Sequence, residues 1–227
     1  MPLIAKNEDD LNLFNISRLD AAGLEDVTLV LNDWGGGQFI ISEGRDERVG
    51  RLVLAACEAF DNFPPGPAKL LELGARIPAG MWALVALMRS RTFRRLPFGY
   101  AAMSRRGIPD DLFHDWFGPA RRDKGVRRDF AKFATGAPDR ATLLSWFERM
   151  RRFVRPVLVV GAAQDTMMPT AQGPRLAALY PISRLEVVED SATLIPEDQP
   201  ERLAALIRDF ALAPHRHTPP SRVRDTP

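Results

Sequence analysis

The segment DVTLVLN, Asp26 to Asn32, is an almost unbroken apolar run rich in β-branched residues. A strand with one wet face alternates apolar and polar side chains. A run without alternation reads as a strand covered on both faces, as in a parallel sheet sandwiched between helices. Three further runs repeat the pattern: RVGRLVLAAC (Arg48 to Cys57), RPVLVVGAA (Arg155 to Ala163) and SRLEVVED (Ser183 to Asp190). Helical patterns lie between and beyond them. Ser17 to Gly23 reads as the end of a helix with Gly23 as its stop, and QFIISEG after the first strand looks helical. Ala171 to Tyr180 and Gln199 to Leu212 have amphipathic helical spacing. Strands alternating with helices define an α/β fold with a parallel sheet, here of about four strands.

The interval from Phe63 to Arg152 breaks the alternation. It opens on FPPGP and runs through helical patterns interrupted by Pro78, Pro97, Pro109, Pro119 and Pro138, without a strand-like run. It is too long for a simple crossover and reads as a helical insertion between two strands. The expected organisation is residues 1–62 and 153–213 forming the α/β core, 63–152 the insertion, and 214–227 a polar, proline-rich disordered tail.

Bulk properties narrow the function classes. The chain has 227 residues, 45% hydrophobic and 26% charged, ordinary for one substantial globular domain with an insertion. Net charge is +2. The basic residues are scattered among acids, as in RRDKGVRRDF with Asp123 and Asp129, which reads as a solvated helix face and not as a nucleic-acid surface. The single cysteine, Cys57, excludes an intramolecular disulfide. The first residues lack the apolar core of a signal peptide, and no window reaches the ~20 apolar residues of a membrane span. A cytoplasmic protein acting on a small molecule, with no membrane or nucleic-acid partner, is the expectation.

The chemistry concentrates in LNDWGGG, Leu31 to Gly37. A sharp turn from a buried strand into a helix can present a nucleophile in strained backbone, with small residues letting strand and helix approach. Gly35 and Gly36 supply the small residues. The N–H of Asp33 and those that follow would face the space above the turn, where they can stabilise negative charge. Asp33 also fits a plain helix cap, and Asp165, in QDTMMP, fits a turn former.

Taken in order, these residues resemble the α/β-hydrolase superfamily, in its aspartate-nucleophile branch of haloalkane dehalogenases and soluble epoxide hydrolases. The motif there runs small-His-Asp-Trp-Gly-Gly. Asp33 falls on the nucleophile, Trp34 on the next residue and Asn32 on the histidine before it. VLVVGAAQD resembles the strand and loop that carry the triad acid, which falls on Asp165. EVVEDSATLIPEDQPERLAALI resembles the final strand, the catalytic-histidine loop and the closing helix. The helical insertion resembles the cap. The resemblance covers nearly all of residues 20 to 212. It implies leaving-group or oxyanion donors at Trp34 and Asn32, a second place for the acid at Glu58, and a cap tyrosine at Tyr100. The reaction it implies needs no cofactor and no metal.

Three departures stand out. The family's Gly-His pair is matched by Ala192-Thr193, and threonine cannot act as a general base near neutral pH. His114 lies in the insertion, on an expected helix surface, and His215 and His217 lie in the tail. Only 25 residues precede Asp26, so the family's early strands and its His-Gly oxyanion segment are missing. The first strand would then have an open edge. Two explanations compete: a shortened chain, or pairing with a partner or a second copy, such as a homodimer through that edge. Leu31 stands where the family prefers a small residue, a minor crowding of the turn.

Two functions are therefore carried forward. One is a hydrolase acting on a small apolar ester, epoxide or haloalkane through Asp33, impaired at Thr193. The other is an inactive or truncated relative that binds a small ligand or a partner. A nucleotide-binding enzyme is disfavoured, because neither G-x-G-x-x-G nor G-K-[ST] occurs.

Overall fold

The computed structural model describes residues 19–33, 37–60, 62, 69–96 and 100–214. Four parallel strands, β1 (Val27–Asn32), β2 (Val49–Ala55), β3 (Val157–Ala162) and β4 (Ser183–Val188), lie side by side in sequence order. The alternating side chains of β2 and β3 go to opposite faces. Leu52, Leu54, Val157 and Val159 join one core with Phe39, Ile40, Phe147 and Met150. Val53, Ala55, Leu158 and Val160 join another with Ile195, Leu203, Leu206 and Phe210. Covered faces on both sides explain why these runs lack polar alternation. All seven residues of β2 are buried.

β1 differs from the expectation of full burial. Its residues are mostly half-buried and Val30 is 41% exposed. Among the described residues β2 is its only neighbour in the sheet, and none of them pairs with its other edge.

Between β2 and β3 the described residues are helical: α1 (Lys69–Arg76), α2 (Gly80–Leu87), α3 (Arg91–Arg94), α4 (Asp110–Arg122), α5 (Lys124–Thr135) and α6 (Arg140–Met150), with a 3-10 turn at Tyr100–Met103. Side-chain caps set several starts: Ser90, Asp123 and Asp139 accept from the N–H groups of Phe93, Gly125 and Thr142. After β3 comes α7 (Gln172–Ala177). After β4 come the single turn α8 (Ile195–Asp198) and α9 (Pro200–Leu212), which buries Leu203, Leu206 and Phe210 against the sheet.

Two local expectations change. QFIISEG forms no α-helix; Gly37–Ile40 is a 3-10 turn followed by turns to Gly44. Residues 37–42 are all buried, so the segment has no solvent face on which to run as an amphipathic helix, and Gly44, at φ +70°, ends it. Gly23 does stop a helical turn, with its N–H bonded to the Asp20 carbonyl at φ +60°. Residues 215–227, including His215 and His217, lie outside the described residues.

Candidate functional site

Ligands of open parallel sheets bind beyond the carboxyl ends of the strands. Three of those ends turn through left-handed backbone at non-glycine residues: Asp33 after β1 (φ +60°), Ala56 after β2 (φ +44°) and Asp190 after β4 (φ +51°). Such a conformation costs a non-glycine residue of order 1 kcal/mol or more and persists where the surroundings enforce it. At Asp33 the enforcement is visible. Its N–H donates to the Ala55 carbonyl at 3.2 Å, closing the ladder between β1 and β2. The expectation that this N–H faces the space above the turn is thereby corrected: sheet pairing takes it. Leu31 crowds Gly37. A Cβ there would stand 2.9 Å from Leu31 Cδ2, so the last glycine of the run is the space that Leu31 requires. Trp34, Gly35 and Gly36 lie outside the described residues.

Asn32 ties three loops together. Its side-chain amide donates to the Ala55 carbonyl at 2.8 Å and to the Thr193 carbonyl at 3.0 Å. Both N–H groups are thus engaged, and donation to a leaving group would require breaking one of these bonds. Thr193 is fully buried, and its hydroxyl donates to Asp165 Oδ1 at 2.8 Å. The threonine therefore gives Asp165 a hydrogen-bond donor but offers no base. Asp165 Oδ1 also accepts from the N–H groups of Met167 and Met168, both at 2.8 Å, while Oδ2 is buried with no hydrogen-bond partner. Burial raises the Asp165 pKa, and the bonds from Met168, Thr193 and Met167 only partly offset it. Asp165 thus holds a tight turn and ties it to the loop that bears Thr193.

Around Asp33 stand groups that register its charge. Tyr100, from the 3-10 turn, is pushed up to about 12, first by burial and then by the Asp33 carboxylate. Its ring meets Phe113 and Phe117 edge-on, at centroid distances of 5.4 and 5.2 Å, which fixes it against α4. The Cys57 thiol is raised by burial, then by Glu58, then by Asp33. Glu58 is buried at the end of β2, and its carbonyl accepts from Gln38 Nε2. Asp33, Cys57, Glu58 and Tyr100 of the insertion thus share one neighbourhood.

The sequence also offers Phe60, Phe63, Trp82, Phe98 and Trp116 as candidate pocket aromatics, and places His114 on a helix surface. His114 is exposed on α4, its ring bonded to the carbonyl of Asp110 one turn back. Trp82 and Trp116 are 58% and 39% exposed. Phe60 packs on Phe147 beneath the Arg175 guanidinium. Phe63 and Phe98 lie outside the described residues.

Asp198 is the residue that sequence reasoning missed. Its fully buried carboxylate accepts from Ser104 Oγ (2.6 Å) and from the N–H groups of Arg105 (2.9 Å), Arg106 (3.0 Å) and Ala192 (2.9 Å). Burial opposes the charge, but these donors outweigh it and hold the pKa below the usual value. Asp198 clasps the insertion to the loop bearing Thr193, and Leu194 N–H adds a 2.7 Å bond to the Met103 carbonyl. PEDQP carried the signal, since an acid inside an apolar closing segment needs buried donors.

A parallel sheet flanked by helices, with a helical insertion between β2 and β3, is the architecture of the α/β hydrolase class. The family model described as "Alpha/beta hydrolase family" matches residues 7–206, and the chain belongs to that family. Solved structures share the fold. A variant of the haloalkane dehalogenase DatA from Agrobacterium tumefaciens C58 is 17% identical at TM-score 0.70, with 92% of this chain and 75% of that one covered. A putative ancestral haloalkane dehalogenase is 18% identical at TM-score 0.70, with 92% and 76% covered. An esterase from Exiguobacterium antarcticum is 18% identical at TM-score 0.61, with 92% and 75% covered. No curated protein matches the chain. Among the described residues no helix is long and apolar enough to cross a membrane, and no three His, Cys, Asp or Glu side chains gather as a metal would require.

Proposed function

We propose that the chain is a hydrolase whose Asp33 carboxylate attacks the electrophilic carbon of a small apolar haloalkane, epoxide or ester held beneath the inserted helices. Attack forms an enzyme-bound ester and breaks the bond to the leaving group, which departs with the electron pair. A halide leaves as such, and an epoxide oxygen takes the Tyr100 proton. An ester attacked at its acyl carbon gives an anhydride. The observation that carries this reading is the left-handed backbone of Asp33 beside the Asn32–Thr193–Asp165 bonds. Release of the covalent intermediate needs an activated water. Thr193 cannot take a proton at neutral pH, so this second half is slow and the intermediate accumulates.

Intact-protein mass spectrometry after exposure to reactive haloalkanes and epoxides tests the proposal. The expected result is a stable mass increase that is absent from Asp33→Ala. Turnover that survives Asp33→Ala would overturn the nucleophile assignment.

The second reading is a non-catalytic binder, favoured by the saturation of Asp165 Oδ1 with local donors. It places a partner or second copy along the edge of β1 that faces away from β2. Absence of any Asp33-dependent adduct across a broad panel, with retained binding of the same apolar molecules, selects it.

A further inference from the structure

Away from Asp33, four arginines converge on one cavity. Arg91, Arg94 and Arg95 of α3 and its end, and Arg106 of the following loop, line a space of about 400 Å³ together with Asp110 and Phe113. Asp110 is the one carboxylate in that wall. Arg94 donates to it at 2.6 Å and Arg91 donates to its other oxygen. Hydrogen bonds from Arg91 and then Arg94 hold the Asp110 carboxyl below its usual value. Arg94 is 8% exposed, and its guanidinium lies 4.4 Å over the Phe113 ring, so its position is fixed by packing. Arg106 reaches only an exposed Asp190 at 3.8 Å, and Arg95 forms no ion pair among the described residues. The Arg106 backbone is itself anchored, because its N–H is held by Asp198.

Four guanidinium groups face Asp110 in the wall and the exposed Asp190 beside it, an excess of two positive charges. A buried, stacked arginine cannot swing into solvent to relieve it. Guanidinium forks match oxyanions in charge and geometry. We propose that this cavity is an oxyanion site, taking a phosphate group either free or as the monoester of a small organic molecule. Phe113 offers a ring face to the organic part. The site lies on the loop that Asp198 ties to Ala192, next to Thr193, so occupancy stiffens the insertion at its attachment to the catalytic-loop region.

Thermal unfolding of the full chain at low ionic strength is the test, with sodium phosphate, phenyl phosphate and sodium chloride as separate titrants. Phosphate is expected to raise the unfolding temperature saturably, while chloride at matched ionic strength does not. Tighter apparent binding of phenyl phosphate assigns the site to monoesters, and equal or weaker binding assigns it to the free ion. Arg95→Gln with Arg106→Gln is expected to weaken binding about ten-fold or more through lost charge-assisted bonds. Both side chains are exposed and neither touches Asp110, so the variant's unfolding temperature without phosphate serves as its folding control. An equal rise with chloride, or a folded double variant that binds phosphate as the parent does, overturns the proposal. Neither result depends on whether Asp33 reacts.

Discussion

The loops after β1 and β4 meet at Asn32 and Thr193, yet different forces hold them. The first bends through left-handed backbone at an aspartate, a conformation a non-glycine residue adopts only at a cost. The second is knitted from side-chain bonds: Thr193 on Asp165, and Asp198 on four donors. Backbone strain is kept in the turn at Asp33, and side-chain hydrogen bonds converge around Thr193 and Asp198. The first loop is held by its backbone, and the second is a structural joint.

The largest test of this contrast is Asp198→Ala. It leaves the Ser104 hydroxyl and the Ala192 N–H buried, and the Arg105 and Arg106 N–H groups part-buried, without their acceptor, and a destabilisation of about 3–5 kcal/mol is expected in chemical denaturation. A loss below about 1 kcal/mol would break the picture of a joint. Thr193→Val comes next. Removing the hydroxyl while keeping the shape is expected to cost about 1–2 kcal/mol, with Thr193→Ser recovering most of it. On the opposite loop the sign reverses. Asp33→Gly removes the left-handed penalty and is expected to stabilise the protein by up to about 1 kcal/mol in the same denaturation, while abolishing any covalent adduct.

The smallest effects are in pH dependence, and again they oppose each other. Asp198 has a lowered folded pKa, so its contribution is present above the unfolded value of 3.8 and is lost as pH falls through the folded value. Asp165 has a raised folded pKa, so its contribution is present below 3.8 and is lost as pH rises through the folded value. Urea unfolding across the acid range should therefore show Asp198→Asn flattening the acid-side loss. Asp165→Asn should remove the decline on the rising side. Changes in slope of the same sign, relative to the parent, in both variants would contradict the assigned shifts.

How much of this was legible depended on range. The strands were readable because burial on both faces leaves a local record, an apolar run without alternation. Gly23 was readable because a left-handed stop selects its residue type. The turn after β1 was readable because Asp33 follows such a run and precedes glycines. The half-exposure of β1 was not, since it depends on what lies beside the strand in space. Nor was the use of Asp33 N–H by the Ala55 carbonyl, because a ladder's last bond depends on register. Asp198 was hidden for the same reason: its donors at Ser104, Arg105 and Arg106 lie more than 90 positions away. The arginine cavity drew no notice, since its charges come from two short segments that look ordinary apart.

The sheet runs in sequence order, and this shapes how the chain reaches its folded state. Val30 pairs with Val53, 23 positions on, and Val159 with Leu185, 26 positions on. Val53 pairs with Leu158, across 105 positions. Closing that longer loop costs about 1.3 kcal/mol more in chain entropy than closing either short one, before its helices form. Two hairpin-sized parallel units are thus expected to assemble early and dock along β2 and β3 in the slow step. Substitutions in the β2–β3 seam would then slow folding, and those on the side of β1 away from β2 would chiefly speed unfolding.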